Sequence, residues 1–341
     1  IVSGFFELAR AGSIDLTVRT GEAVFGLTPL VSAVIDGRTR VIYDTHDGYN
    51  FLDSSQAPAQ GFDFLLEEYD LWFKYTCVET INAKLRNHAK VRPLGLISGF
   101  FGSHHNPYDV GLWPLELRQA ARTLVGTSSC LSSITSANSR HLWPEQYETG
   151  PVPGDGRALF IAGAWDPAAP EVSSEQIRQE RFDLNEYRAG LVRSGREALK
   201  ERFVGGLQRS AFAELHYPDC IYDGPEATNR WAYLKTLRHA SVGIASSGLH
   251  GCAGGKLAEY VAASRGVVTT PLGMILPGEF AAGLNYVAAS TPEDSIDCCR
   301  GLLDDLSRLT AMMSANGAYY EAYVRPSACV RNTIRVALGE D

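Results

Sequence analysis

Residues 246–271 run Ser246-Ser247-Gly248-Leu249-His250-Gly251-Cys252-Ala253-Gly254-Gly255-Lys256-Leu257-Ala258-Glu259-Tyr260-Val261-Ala262-Ala263-Ser264-Arg265-Gly266-Val267-Val268-Thr269-Thr270-Pro271. This stretch constrains the fold most. It predicts a glycine-rich loop after a short apolar run, then a helix with Leu257, Val261 and Ala262 at helical spacing, then a strand stopped by proline. A helix start offers unpaired N–H groups and a partial positive charge, and the glycines remove the Cβ atoms that would keep a pyrophosphate away. Lys256 adds a full charge. Glu259, three residues later, shares its helix face and suits a ribose diol beside a phosphate better than the phosphate itself. The same spacing also suits a buried turn carrying an ordinary Lys–Glu surface pair.

The segments before and after extend this alternation. Phe5, Phe6, Leu8 and Ala9 before Gly12 predict a short helix, and Ile14 to Val18 a strand. Val31 to Ile35 and Thr39 to Tyr43 flank Asp36-Gly37, a hairpin signal. That hairpin delivers Asp44-Thr45-His46-Asp47-Gly48 at a strand end. Two carboxylates and an imidazole there fit general-base chemistry, with Asp47 as the first candidate and Asp44 and His46 as alternatives; an Asx-rich turn with solvated charges fits the same residues. Residues 62–86 predict a helix with a broad apolar side. Val91 to Leu96 leads to a loop holding His104 and His105, read as acceptor-site or structural residues. Residues 116–125 also look helical.

Gly150-Pro151-Val152-Pro153-Gly154-Asp155-Gly156 is the clearest break, so domains are expected at 1–150 and 151–341. Beyond it, Ala158 to Ala162 predicts a buried strand, Glu175 to Arg202 a long helix, Phe203 to Leu207 a strand, Thr228 to Ala240 a helix and Val242 to Ala245 a strand. Two final helices are expected over 292–315 and 319–336. Strands and helices in repetition imply a parallel sheet with its ligand at the carboxyl ends of the strands.

A chain of 341 residues suits two domains of about 150 residues each. The net charge of −8 argues against a nucleic-acid groove or an anionic membrane surface as the main partner. Seven cysteines without CxxC or Cys/His metal spacing are expected to be reduced, buried thiols of a cytosolic protein. No run approaches the roughly 20 apolar residues of a membrane span. The opening Ile1-Val2-Ser3 lacks methionine, so residues ahead of it are expected to have been trimmed.

Gly248-Leu249-His250, the glycine turn, Lys256, Glu259-Tyr260-Val261-Ala262 and Val267 to Leu272 together resemble the donor-binding segment of bacterial GT-B glycosyltransferases, the group-1 type of surface-polysaccharide clusters. The likeness continues through Pro277-Gly278-Glu279-Phe280 and Gly283 to Tyr286, and it covers the C-terminal half better than the N-terminal half. It implies an α/β protein of two Rossmann-like domains with parallel sheets facing an interdomain cleft. It further implies transfer of a sugar from a nucleotide-diphosphate sugar, UDP or GDP expected, to an acceptor hydroxyl of a saccharide, lipid-linked or small-molecule acceptor. Gly248, His250, Gly251, Gly254, Gly255 and Lys256 would then bind pyrophosphate and proximal sugar, and Glu259 the ribose. Asp47, His46 or Asp44 would deprotonate the acceptor in an inverting reaction, while His250 would stabilise the leaving phosphate in a retaining one. His104 and His105 would line the acceptor site.

No cofactor and no metal are implied, and the expected location is the cytoplasm or the inner membrane face. Two departures stand out. Related loops carry a basic residue where Ala162-Gly163-Ala164 has none, so any phosphate contact there falls to backbone. Many retaining members pair two glutamates eight apart, and the position eight before Glu259 is Gly251, which leaves retention or inversion open. Leu249-His250-Gly251 also resembles a motif of polysaccharide pyruvyl transferases, which would use phosphoenolpyruvate. A sugar-nucleotide epimerase and a non-enzymatic binding subunit are further alternatives.

Overall fold

Asp36 and Gly37 both take left-handed φ, 50° and 65°, the turn geometry that matches the twist of paired strands. They close a hairpin between β1 (Leu30–Ile35) and β2 (Thr39–Asp44). The structure is a computed structural model that describes residues 1–19, 30–49, 63–97, 144–170, 172 and 174–340. Helix α1 (Val2–Arg10) precedes the hairpin, and α2 (Asp63–Glu68), β3 (Leu71–Lys74), α3 (Glu79–Asn82) and β4 (Val91–Pro93) follow it. Strands β1-β2-β3-β4 form one sheet in that order, antiparallel only at the β1–β2 edge.

Two expectations fail in this half. The strand expected over 14–18 does not form. The helix expected over 62–86 is instead α2, β3 and α3. Leu71 to Lys74 is a short apolar run ending in a buried lysine, and such a run fits a central strand as well as a helix until its neighbours are known. Here β2 and β4 flank it, and Trp72, Phe73 and Lys74 are buried. The residues around His104 and His105, and the helix expected at 116–125, lie outside the described residues.

After α4 (Pro144–Tyr147), β5 (Ala158–Ala162) opens a second sheet. Helix α5 (Glu175–Leu199) starts where Ser174 Oγ accepts from the Ile177 amide, a side-chain N-cap. Then come β6 (Phe203–Leu207), α6 (Ala211–His216), α7 (Arg230–His239), β7 (Val242–Ala245), α8 (Gly255–Ala262), β8 (Gly266–Thr269) and β9 (Val287–Ala288). This sheet is wholly parallel in the order β6-β5-β7-β8-β9. The chain moves outward from β5 to β6, then returns past β5 to place β7 on its other side. The switch in direction falls between β5 and β7.

The helix expected over 292–315 divides into α9 (Pro292–Asp304) and α10 (Leu306–Tyr319). Asp305 leaves the helical region and caps α10 by accepting from the Arg308 amide. A π-helical turn, Tyr320–Val324, leads to α11 (Pro326–Leu338). This last helix lies on the first sheet: Tyr43 and Thr333 hydroxyls bond at 2.9 Å, and Thr39 Oγ1 donates to the Ala337 carbonyl. A boundary at residue 150 therefore divides the sheets in sequence but leaves α11 against the first.

One apolar core joins the sheets, with Tyr43, Phe73 and Leu94 from the first and Leu159, Ile161 and Ala245 from the second. Separate cores cover the far face of each sheet. Among the described residues, no helix is long and apolar enough to cross a membrane.

Candidate functional site

A crevice forms where neighbouring parallel strands send their chains in opposite directions, and here it lies outside the carboxyl ends of β5 and β7. The loop leaving β7 fills one side. Ser247 N–H donates to Thr270 Oγ1 at 3.0 Å and Gly248 N–H to the Cys252 carbonyl at 2.8 Å, so the loop is a folded turn. Leu249–Gly251 form a short 3-10 turn with His250 in left-handed conformation, φ 60°. Gly254, at φ 69°, is the N-cap of α8 and offers no side-chain cap. The first amides of that helix are thus left for an anion. Gly251 and Gly255 are exposed, Gly248 half-buried.

Lys256 and Glu259 do share a face, but they are no ordinary surface pair. The Lys256 ammonium meets the Glu259 carboxylate at 3.0 Å and lies 3.7 Å from the centre of the Tyr233 ring. Glu259 also accepts from Arg230 at 2.7 Å and from the Tyr233 hydroxyl. Burial works to raise the Glu259 carboxyl, but Lys256 and Arg230 outweigh it and leave its pKa below the ordinary value. Burial lowers the Lys256 pKa, with Glu259 opposing. The side chains differ in access: Lys256 keeps 32 % of its surface and Glu259 10 %. Lys256 and Arg230, which keeps 30 %, are both half-buried around a Glu259 that anchors them.

The first sheet contributes the loop after β2. Asp44 is wholly buried and pairs with buried Lys74 at 3.2 Å. Burial lowers the Lys74 pKa, with Asp44 pulling the other way. Asp44 Oδ1 also holds His46, accepting from its backbone N–H at 2.9 Å and lying 3.1 Å from its Nδ1. Asp44 has no surface with which to reach an acceptor, and its carboxylate orients an imidazole instead. A tautomer that donates Nδ1–H to Asp44 carries its lone pair on Nε2. Asp47 is exposed and bonded to the Cys252 thiol, whose pKa burial, helped by Asp47, pushes up to about 12.

These two loops touch. A Cβ added at Gly48 would lie 2.3 Å from His250 Cβ. One strand further on, Ile275 N–H donates to the Cys77 carbonyl at 2.7 Å. The Asp44–Asp47 loop and the glycine turn thus share one cleft. His104 and His105 lie outside the described residues. The cavity bounded by Glu148, Pro151, Ser264, Tyr320 and Glu321, about 360 Å³, shares no lining residue with this cleft.

No protein-family model and no curated protein matches the chain. Among solved structures it is similar to a glycosyltransferase from Rickettsia africae, with 13 % identity, TM-score 0.42, and 87 % of this chain against 70 % of that one. It is also similar to a Staphylococcus aureus MnaA–UDP co-structure, with 12 % identity, TM-score 0.38, and 80 % of this chain against 61 % of that one. A putative UDP-N-acetylglucosamine 2-epimerase from Listeria monocytogenes matches at 12 % identity and TM-score 0.35, over 79 % of this chain and 59 % of that one. The chain spans about three-fifths of the length of the last two.

Two residues at the cleft escape the sequence reading, and both lie on α5. Glu180 accepts from the His250 backbone N–H at 2.6 Å and stands 3.6 Å from its Nδ1. Arg188 reaches the loops after β5 and β7 together. Both read as surface charges of an amphipathic helix. Their spacing from Leu184, Leu191 and Val192, which are buried, could have placed them on or beside the inward face.

Proposed function

We propose that the chain is a GT-B-type glycosyltransferase that moves a sugar from a nucleotide-diphosphate sugar, UDP or GDP, to an acceptor hydroxyl. The observation that carries this is the contact of Gly48 with His250, which sets an acid–base loop against an anion-binding turn. The sequence resemblance in residues 246–286 supports the same reading.

The diphosphate lies at the start of α8 against the amides of Gly255 and Lys256, with the Lys256 ammonium and the helix dipole supplying counter-charge. Gly248, Gly251 and Gly254 let it approach the backbone, and His250 contacts the leaving phosphate or the sugar. Glu259 holds Lys256 in place and sits beside the ribose. His46 is the base: Nε2 takes the acceptor proton as the acceptor oxygen bonds to the anomeric carbon and the sugar–phosphate bond breaks. Asp44 stabilises the resulting imidazolium. Such a direct displacement inverts the anomeric centre.

Titration calorimetry with UDP, GDP, TDP, CMP and phosphoenolpyruvate, each with and without EDTA, tests the assignment. Binding of a nucleoside diphosphate that survives EDTA is expected. Binding of phosphoenolpyruvate alone overturns it in favour of pyruvyl transfer.

A further inference from the structure

We propose that Arg188 is a positioning residue of this cleft, which ties the exits of β5 and β7 together and sets an uncompensated positive charge beneath the bound diphosphate. The inference rests on the diphosphate reading above and adds to it a residue outside the glycine turn. Arg188 lies at the switch in strand direction and keeps 6 % of its surface. Its Nε donates to Ser246 Oγ at 3.0 Å, Nη1 to the Gly163 carbonyl at 2.7 Å and Nη2 to the Ser247 carbonyl at 3.1 Å. Gly163 follows β5 and Ser246-Ser247 follow β7, so one guanidinium spans both sides of the crevice.

Nearby, buried Lys74 has Asp44, and the half-buried Lys256 and Arg230 share Glu259. Arg188 has no carboxylate within 4.0 Å among the described residues. Burial accordingly lowers its pKa to about 10. Arg265 provides the contrast. It too is buried without a carboxylate partner, but its guanidinium makes five hydrogen bonds, to Ala263, Val152, Ala240, Thr149 and Gly150. A guanidinium has five N–H donors, so Arg265 is saturated as a structural clamp. Arg188 uses three of its five. A buried charge that lacks a counter-ion is costly, and an anion at the mouth of the same two loops supplies one. The basic residue that Ala162-Gly163-Ala164 lacks in sequence is thereby provided from α5.

The full chain and its Arg188→Lys and Arg188→Met variants are titrated with inorganic pyrophosphate and with UDP at two salt concentrations. Wild type is expected to bind both, Arg188→Lys within about threefold, and Arg188→Met at least tenfold more weakly and with a shallower salt dependence. Wild-type affinity in a folded Arg188→Met, or a Lys variant as weak as Met, overturns the proposal alone. Failure of wild type to bind either probe overturns the diphosphate reading as well. Ser246→Asp and Ser246→Asn give a measurement that does not depend on Arg188→Met folding. The aspartate supplies the missing counter-charge, so the ligand-free Asp variant is expected to melt above the Asn variant and to lose pyrophosphate binding. An Asp variant that melts at or below the Asn variant overturns the proposal.

Discussion

Gly48 and His250 approach so closely that position 48 has no room for a side chain: an added Cβ would stand 2.3 Å from His250 Cβ. Gly48 also holds φ at 64°, where L-residues carry a penalty of roughly 1–2 kcal/mol. Gly48→Ala is therefore expected to cost about 2–4 kcal/mol, strain and overpacking together. Denaturant unfolding measures it. In the cycle with His250→Gly, the overpacking part should vanish and the backbone part remain. Equal costs in both backgrounds would show that the loops do not meet.

Glu259→Ala leaves Lys256 and Arg230 without their shared carboxylate and is expected to destabilise the chain by about 3 kcal/mol, as for other broken buried pairs. An exposed Lys–Glu pair would give only about 0.2–0.5 kcal/mol. The pH dependence has a definite sign. Because the folded carboxyl titrates below its ordinary value, its contribution is present above the unfolded pKa of about 4.3 and disappears as pH falls through the folded one. The stability difference between wild type and Glu259→Gln should be constant above about pH 5 and shrink as pH falls below the unfolded value. Parallel curves throughout count against the cluster.

His46→Gln is expected to reduce turnover by about 10²–10⁴ with little change in nucleotide affinity, the range for a lost general base. Asp47→Asn should cost less than tenfold, since its carboxylate is bonded to Cys252. Steady-state kinetics beside UDP titration separates the two effects. The reverse order of losses would make Asp47 the base.

Lys256→Ala should weaken nucleoside-diphosphate binding at least tenfold, about 1.4 kcal/mol, because its ammonium is the cation on the first turn of α8 beside the glycine loop. Calorimetry with UDP is the measurement, and unchanged affinity removes Lys256 from the site.

Cys252 should resist alkylation. Burial and Asp47 push its thiol to about 12, so at pH 8 roughly one molecule in 10⁴ carries the thiolate, against about a quarter for an ordinary thiol. Iodoacetamide followed by peptide mass mapping should label it far more slowly in native than in unfolded chain. The same shift makes stability fall as pH rises above about 8.5, where the unfolded thiol loses a proton that the folded one keeps.

What could be read in the sequence was what neighbours along the chain decide. Gly254 before Lys256, Leu257 and Val261 marks loop and helix locally, and the second sheet follows from such segments in repetition. Leu71 to Lys74 could not be read in this way, because only β2 and β4 alongside make it a strand. The site was half legible for the same reason. Lys256 and Glu259 are three apart, but Arg230 lies 29 residues from Glu259, and Arg188 lies 58 from Ser246. Nothing local in Glu259 distinguishes an anchor with three partners from a free surface carboxylate.

Residues 148–151 lie against the π-helical turn that leads into α11. Glu148 stitches the two together, accepting from the Tyr320 hydroxyl at 2.8 Å and pairing with Arg325 at 3.3 Å. A chain shortened to end before the π-helical turn would lose both of these ties and leave the Tyr43 hydroxyl without Thr333.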